Sequence, residues 1–131
     1  MRPLFIRRCL GLAAAVLLPT LAAAQHALDG PWRLSFSTGD DEPRQAQLSI
    51  TGKQGSWTTE PRAGREKRDP CVGRPFPLTV QANEAERVVI AAAFAAQVGG
   101  CKDRVFTGRW VDAGTLEGKL DNGRPARLTR P

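Results

Sequence analysis

The chain has 131 residues, with 19 Lys and Arg against 13 Asp and Glu, 41% hydrophobic residues, three Trp, five Phe and three Cys. That length holds one small domain and leaves no room for a multidomain enzyme or a long repeat array. The aromatic and aliphatic content excludes a disordered chain.

The first element in chain order is a targeting segment. Arg2, Arg7 and Arg8 precede an uncharged apolar run from Cys9 to Ala24 that contains Pro19 and ends in Leu21-Ala22-Ala23-Ala24. The run is shorter than the ~20 residues a membrane-spanning helix needs, and Ala22-x-Ala24 supplies the small side chains that signal peptidase accepts. Residues 1–24 therefore read as a secretory signal peptide cut after Ala24, and 25–131 as a single domain. Without the three early arginines, the mature chain's net charge falls from +6 to +3. So mild an excess does not by itself call for a polyanionic partner.

Removing Cys9 leaves Cys71 and Cys101 in a chain bound for an oxidising compartment, and they are expected to pair. Closing that loop stabilises the fold by roughly 3.5–4 kcal/mol in the chain-entropy picture. Two thiols with no nearby His make a poor metal site, and their spacing is not that of a redox CxxC motif.

Period-two alternation dominates the mature chain. Trp32-Leu34-Phe36 alternates with Arg33-Ser35-Ser37, and Leu48-Ile50 with Gln47-Ser49-Thr51. Gly52-Lys53-Gln54-Gly55 turns tightly into a third strand at Ser56 to Thr59. After a polar loop from Pro61 to Pro75, Phe76-Leu78-Val80 marks a fourth, with Pro77 placing its start outside regular pairing. Val105 to Val111, Thr115 to Leu120 and Pro125 to Thr129 close the chain as short strands separated by Asp112-Ala113-Gly114 and Asp121-Asn122-Gly123.

The stretch from Glu84 to Gly100 supports two readings. Asn83 with Glu86, the alanines and Gly99 suit a helix. The β-branched run Val88-Val89-Ile90 suits a strand over Arg87 to Ala93, hairpinned to its predecessor and followed by a loop or one helical turn from Phe94 to Cys101. The strand reading gives about eight strands, the signature of an all-β, small antiparallel barrel or sandwich; an up-and-down barrel pairs each strand with the next. In such a meander Cys71 lies in the third-to-fourth loop and Cys101 in the fifth-to-sixth, so both sit at one end, as a disulfide requires. The inward set is expected to be Trp32, Leu34, Phe36, Leu48, Ile50, Trp57, Leu78, Val80, Ile90, Leu116, Leu120 and Leu128, filling the barrel and leaving at most a shallow mouth.

Gly30-Pro31-Trp32 at the start of the first strand resembles the G-x-W signature of the calycins, the lipocalin and avidin-like barrels. The resemblance implies that Trp32 closes the barrel base beneath an Arg of the last strand, here Arg130, which shares the parity of Ala126 and Leu128. Phe106 to Trp110 likewise looks like an avidin-type strand. No polar constellation in the chain matches a biotin pocket.

Enzyme motifs are absent. The sole histidine, His26, falls two residues after the expected cut on a terminus read as disordered, so no Ser-His or Cys-His arrangement has a rigid base. Gln25-His26 would hold copper weakly at best, and neither a metal nor a cofactor is expected. Glu60, Glu66, Asp69 and Asp103 read as solvated loop acids. The surface feature of note is a basic loop: Arg62, Arg65, Lys67, Arg68 and Arg74, joined at the same end by Lys102 and Arg104, form a cationic rim tied down by the cysteines. Glu66 and Asp69 interleave it, so a merely solvated loop is the plain alternative. The functional expectation is an exported, non-catalytic binding module, periplasmic or extracellular, that inhibits or binds an envelope protein or anionic ligand through that loop. The alternative is a carrier of a small apolar ligand in the barrel mouth. Nucleic acid is disfavoured by export and by the lack of stacking aromatics in the loop, and no stable membrane insertion is expected after cleavage.

Overall fold

The alternation read from the sequence becomes a single closed wall. In the computed structural model, which describes residues 11–16, 26–38, 41–62 and 68–131, the strands are β1 (Gly30–Ser37), β2 (Pro43–Thr51), β3 (Gln54–Thr59), β4 (Phe76–Glu84), β5 (Arg87–Ala92), β6 (Arg104–Asp112), β7 (Thr115–Leu120) and β8 (Pro125–Thr129). Each pairs antiparallel with the next, and β8 returns to β1 through Leu34 opposite Leu128, closing the barrel. Closure satisfies the ladder on both sides of every strand and leaves no long free edge. The expected cleavage site after Ala24 lies outside the described residues, as do Arg65, Lys67 and Glu66.

Apolar side chains fill the interior. Of the expected inward set, all are buried except Phe36, which is half-buried at the upper mouth. Phe76, Val88 and Phe106 join them from the strands, Leu28 and Phe94 from outside the strands. The outward positions of β1 and β2 carry Arg33, Gln45, Gln47 and Ser49, all exposed. Apolar-in and polar-out is the reverse of a membrane-spanning barrel. Among the described residues, no helix is long and apolar enough to cross a membrane.

Glu84 to Gly100 resolves as the hairpin strand β5 and a turn. Val88, Ile90 and Ala92 all enter the core, which outweighs the helix propensity of the alanines. Beyond β5 the chain makes one tight turn, with Gln97 and Val98 both donating to the Phe94 carbonyl at 3.0 Å. Pro77 departs from expectation: it is paired, opposite Ser56. Its carbonyl accepts from the Ala93 amide, so its nitrogen faces the same side, past the end of β5, and the missing donor breaks no bond to β3.

Every turn at one end, here the lower, spans two residues: Gly52-Lys53, Ala85-Glu86 and Ala113-Gly114. The upper end carries the longer connections, residues 38–42, 60–75, 93–103 and 121–124. Between the two ends, β6 and β7 approach very closely at Gly108 opposite Gly118. A Cβ at Gly118 would lie 2.0 Å from the Thr107 carbonyl oxygen.

Candidate functional site

Both ends of a filled barrel must still be sealed, and they are sealed differently. At the lower end residues 26–29 cross the base before β1 begins. Leu28 enters the core and its carbonyl accepts the buried Trp32 indole N–H at 2.7 Å. The Arg130 guanidinium lies 3.7 Å from the Trp32 ring centroid and donates to the carbonyls of Asp29, Ala27 and Pro31 at 2.9, 3.0 and 3.2 Å. Burial lowers the Arg130 pKa from its usual value, against the charge of Asp29, which raises it. Gly30 has φ +107°, and a Cβ there would stand 3.2 Å from Arg130 Nη1. The motif glycine is therefore needed both for its backbone conformation and for the room it leaves.

His26 is not loose, contrary to expectation. Its ring centroid is 5.0 Å from that of Trp110, and its carbonyl accepts from Asn83 Nδ2. The Asn83 side-chain oxygen in turn accepts the Trp110 indole N–H at 3.0 Å. Trp110 is only half-buried, at the lower rim, where it meets Trp32 edge-on.

At the upper end the strands part before they finish pairing: β3 and β4 share only Gln54 to Trp57 against Phe76 to Thr79. Loops fill the gap. Phe94 drops onto the core, stacked on Phe76 with centroids 4.2 Å apart and edge-on to Trp57. Asp103 fixes that descent by accepting from the amides of Phe94 and Ala95, both at 2.9 Å. Cys71 and Cys101 are joined, with Cα atoms 5.6 Å apart, and tie the β3–β4 loop to the β5–β6 loop.

Above this seal is a hollow of about 360 Å³. Its floor is Phe36, Trp57 and Phe94, one wall is Cys71, Val72 and Cys101, and Arg44, Lys102 and Arg104 stand around it. A second, more open hollow of about 620 Å³ lies alongside, sharing Phe36 and Arg44 and bordered by Glu42, Glu60 and Arg62.

The rim residues named from the sequence do not act as one group. Arg62 is turned inward, paired with Glu42 at 2.6 Å and donating to Thr38, and so serves the fold. Arg68, Arg74 and Lys102 are exposed and Arg104 is half-buried. None of these four side chains makes an ion pair or hydrogen bond with the described residues. Arg44, which sequence reasoning missed, reaches the hollow from β2 and donates to the Glu60 carbonyl. Its inward parity beside Ala46 and Leu48 is the signal that would have found it.

The end is also less basic than the rim alone suggests. Asp41, Glu42, Glu60, Asp69, Asp103 and Asp121 share it, and each has a partner in the fold: Arg124, Arg62, Gln47, and the amides of Cys71, Phe94 and Val105. The acids are thus spent on structure, as is Arg44, whereas Lys102 and Arg104 beside the hollow have no side-chain partner among the described residues. Together these groups present positive charge beside an apolar floor.

No family model matches the sequence, and no curated protein matches it either. The chain is similar in fold to a redesigned β-barrel. The similarity covers 79% of this chain and 91% of that one, with a TM-score of 0.51 and 13% identity. It concerns the barrel alone.

Proposed function

We propose that the mature chain is an exported, non-catalytic binding module, a calycin-like barrel that engages an anionic partner of the cell envelope at its disulfide-bearing end. The observation that carries this reading is the pair Lys102 and Arg104, cations without an acid among the described residues, bordering the apolar hollow over Phe36. Cations without an acid partner beside a partly apolar surface favour an anion more strongly than the same charges spread through solvent. The Cys71–Cys101 bond supports export, since such bonds persist in oxidising compartments. The G-x-W geometry at Gly30, Trp32 and Arg130 supports the calycin likeness. An inhibitor of an envelope enzyme fits this description. The hollow also supports a second reading, a carrier that takes a small apolar ligand at the mouth.

The test is capture from envelope extract by the immobilised mature chain, compared with a variant carrying Arg68→Glu, Arg74→Glu, Lys102→Glu and Arg104→Glu. Capture that falls with salt and disappears in the variant is expected. Capture that survives both changes overturns the reading. Stabilisation of the wild type by uncharged apolar molecules, with no charge-dependent capture, favours the carrier.

A further inference from the structure

We infer that the upper mouth is a socket for an acidic polypeptide segment, which seats one apolar side chain in the hollow and sets carboxylates against Lys102, Arg104 and Arg44. The inference rests on the reading above, that this end binds an anionic partner, and it names the partner's chemistry.

Closure of the barrel is the first reason. With β8 paired to β1 there is no long free edge for a partner to extend, so strand addition, a common way to bind a peptide, is not open to this fold. A partner must instead insert side chains at an end.

The form of the hollow is the second. Trp57 and Phe94 are 0% and 3% exposed, so the floor is packed and nothing can pass it into the barrel. The apolar surface a partner can touch is that of half-buried Phe36, Cys71 and Val72; Thr38, Gly100 and Asp69 also line the hollow, and the Asp69 carboxylate already accepts from the Cys71 amide. The volume of about 360 Å³ is near the low end of small-molecule sites, roughly 300–1,000 Å³, which enclose most of their ligand. A shallow recess of this kind suits a single apolar anchor, the arrangement that concentrates binding energy at protein interfaces.

Charge is the third. The cations stand on three separate segments, β2, the β5–β6 loop and the start of β6, and Arg68 and Arg74 continue the charge outside the hollow on the disulfide loop. A chain bearing several carboxylates can meet such a distribution, whereas one carboxylate cannot. The disulfide and the Asp103 bonds hold Cys71 and the Phe94 to Asp103 segment in advance, which lowers the ordering cost of binding.

A random hexapeptide display library panned at low salt against the mature chain tests this. Enrichment of one large apolar residue flanked by Asp or Glu is expected. The best peptide, made synthetically, should lose roughly tenfold or more in affinity when its anchor becomes Ser. Val72→Asp and Arg104→Glu should each lose a similar factor while melting like the wild type, and Arg104→Lys should retain most of it. Enrichment of acidic peptides with no apolar position, or equal binding by the Ser peptide, overturns the socket and leaves the charge-based reading standing. Absence of any enrichment also overturns it, as does displacement of the best peptide by decanoate with decanoate binding unaffected by Val72→Asp. Envelope capture indifferent to the four charge reversals removes the underlying reading instead.

Discussion

The two ends of this barrel solve the same problem with different chemistry. The lower end has two-residue turns, and the 26–29 crossing, Trp32 and Arg130 seal it, bound through backbone carbonyls and a ring face. The upper end has four longer connections, one covalent bond and ion pairs such as Arg124 with Asp41. Carbonyl acceptors and buried rings are insensitive to salt and hard to reposition, whereas loops with exposed cations can change sequence without disturbing the wall. The recognition surface proposed above lies at the end whose loops can vary in this way. It also sets an order of expected damage.

The largest effect should come from Trp32→Ala. Trp32 is 1% exposed, and the change leaves a cavity, the Leu28 carbonyl without its indole donor and Arg130 without its ring. A loss of about 3–5 kcal/mol in urea unfolding is expected. A loss below about 1 kcal/mol would mean that the lower seal is not what holds the barrel shut.

Next is the covalent tie at the top. Replacing Cys71 and Cys101 together with Ser should cost roughly 3.5–4 kcal/mol by the chain-entropy relation for their separation of 30 residues. The ends should then part company in hydrogen exchange. Amides around Phe94 to Cys101 should lose protection first, while those near Trp32 keep theirs. Equal loss at both ends would show the two seals to be one cooperative unit.

The same contrast explains what can be read in advance. Strands are legible wherever one face is buried, because Leu34, Leu48, Leu78 and Ile90 fall in runs with a spacing of two, and turn residues mark where each run stops. Strand order then places Cys71 near Cys101, and the G-x-W resemblance together with parity places Arg130 near Trp32. Leu28 and Phe94 are not legible, since each reaches the core from a segment without periodicity and is positioned by distant partners, Arg130 and Asp103. The acids of the upper loops read as solvated for a related reason: the amides they accept from, such as Val105 for Asp121, come close only once the barrel forms. Arg62 reads as rim for want of the same information, its partner Glu42 lying on another loop. Sequence patterning reports which face of an element is buried, and capping and pairing depend on what that burial later brings near.

The smallest of the three effects, and the sharpest test of the lower seal, is at Arg130. Its guanidinium donates to three carbonyls while lying on the Trp32 ring, a geometry that uses the planar fork as well as the charge. Arg130→Met keeps an apolar stem over the ring but removes every donor, and should cost about 1–3 kcal/mol. Arg130→Lys keeps the charge and loses the fork, so it should recover only part of that. The lowered pKa of Arg130 carries a definite sign: the folded state holds its proton less tightly than the unfolded chain, so the penalty applies at every pH below the folded pKa and eases only above it. The wild-type-to-Met difference should therefore be flat with pH through the neutral range. Full recovery by Lys would show that Trp32 is capped by charge alone, and would leave the carbonyls of Ala27, Asp29 and Pro31 needing another explanation for their arrangement.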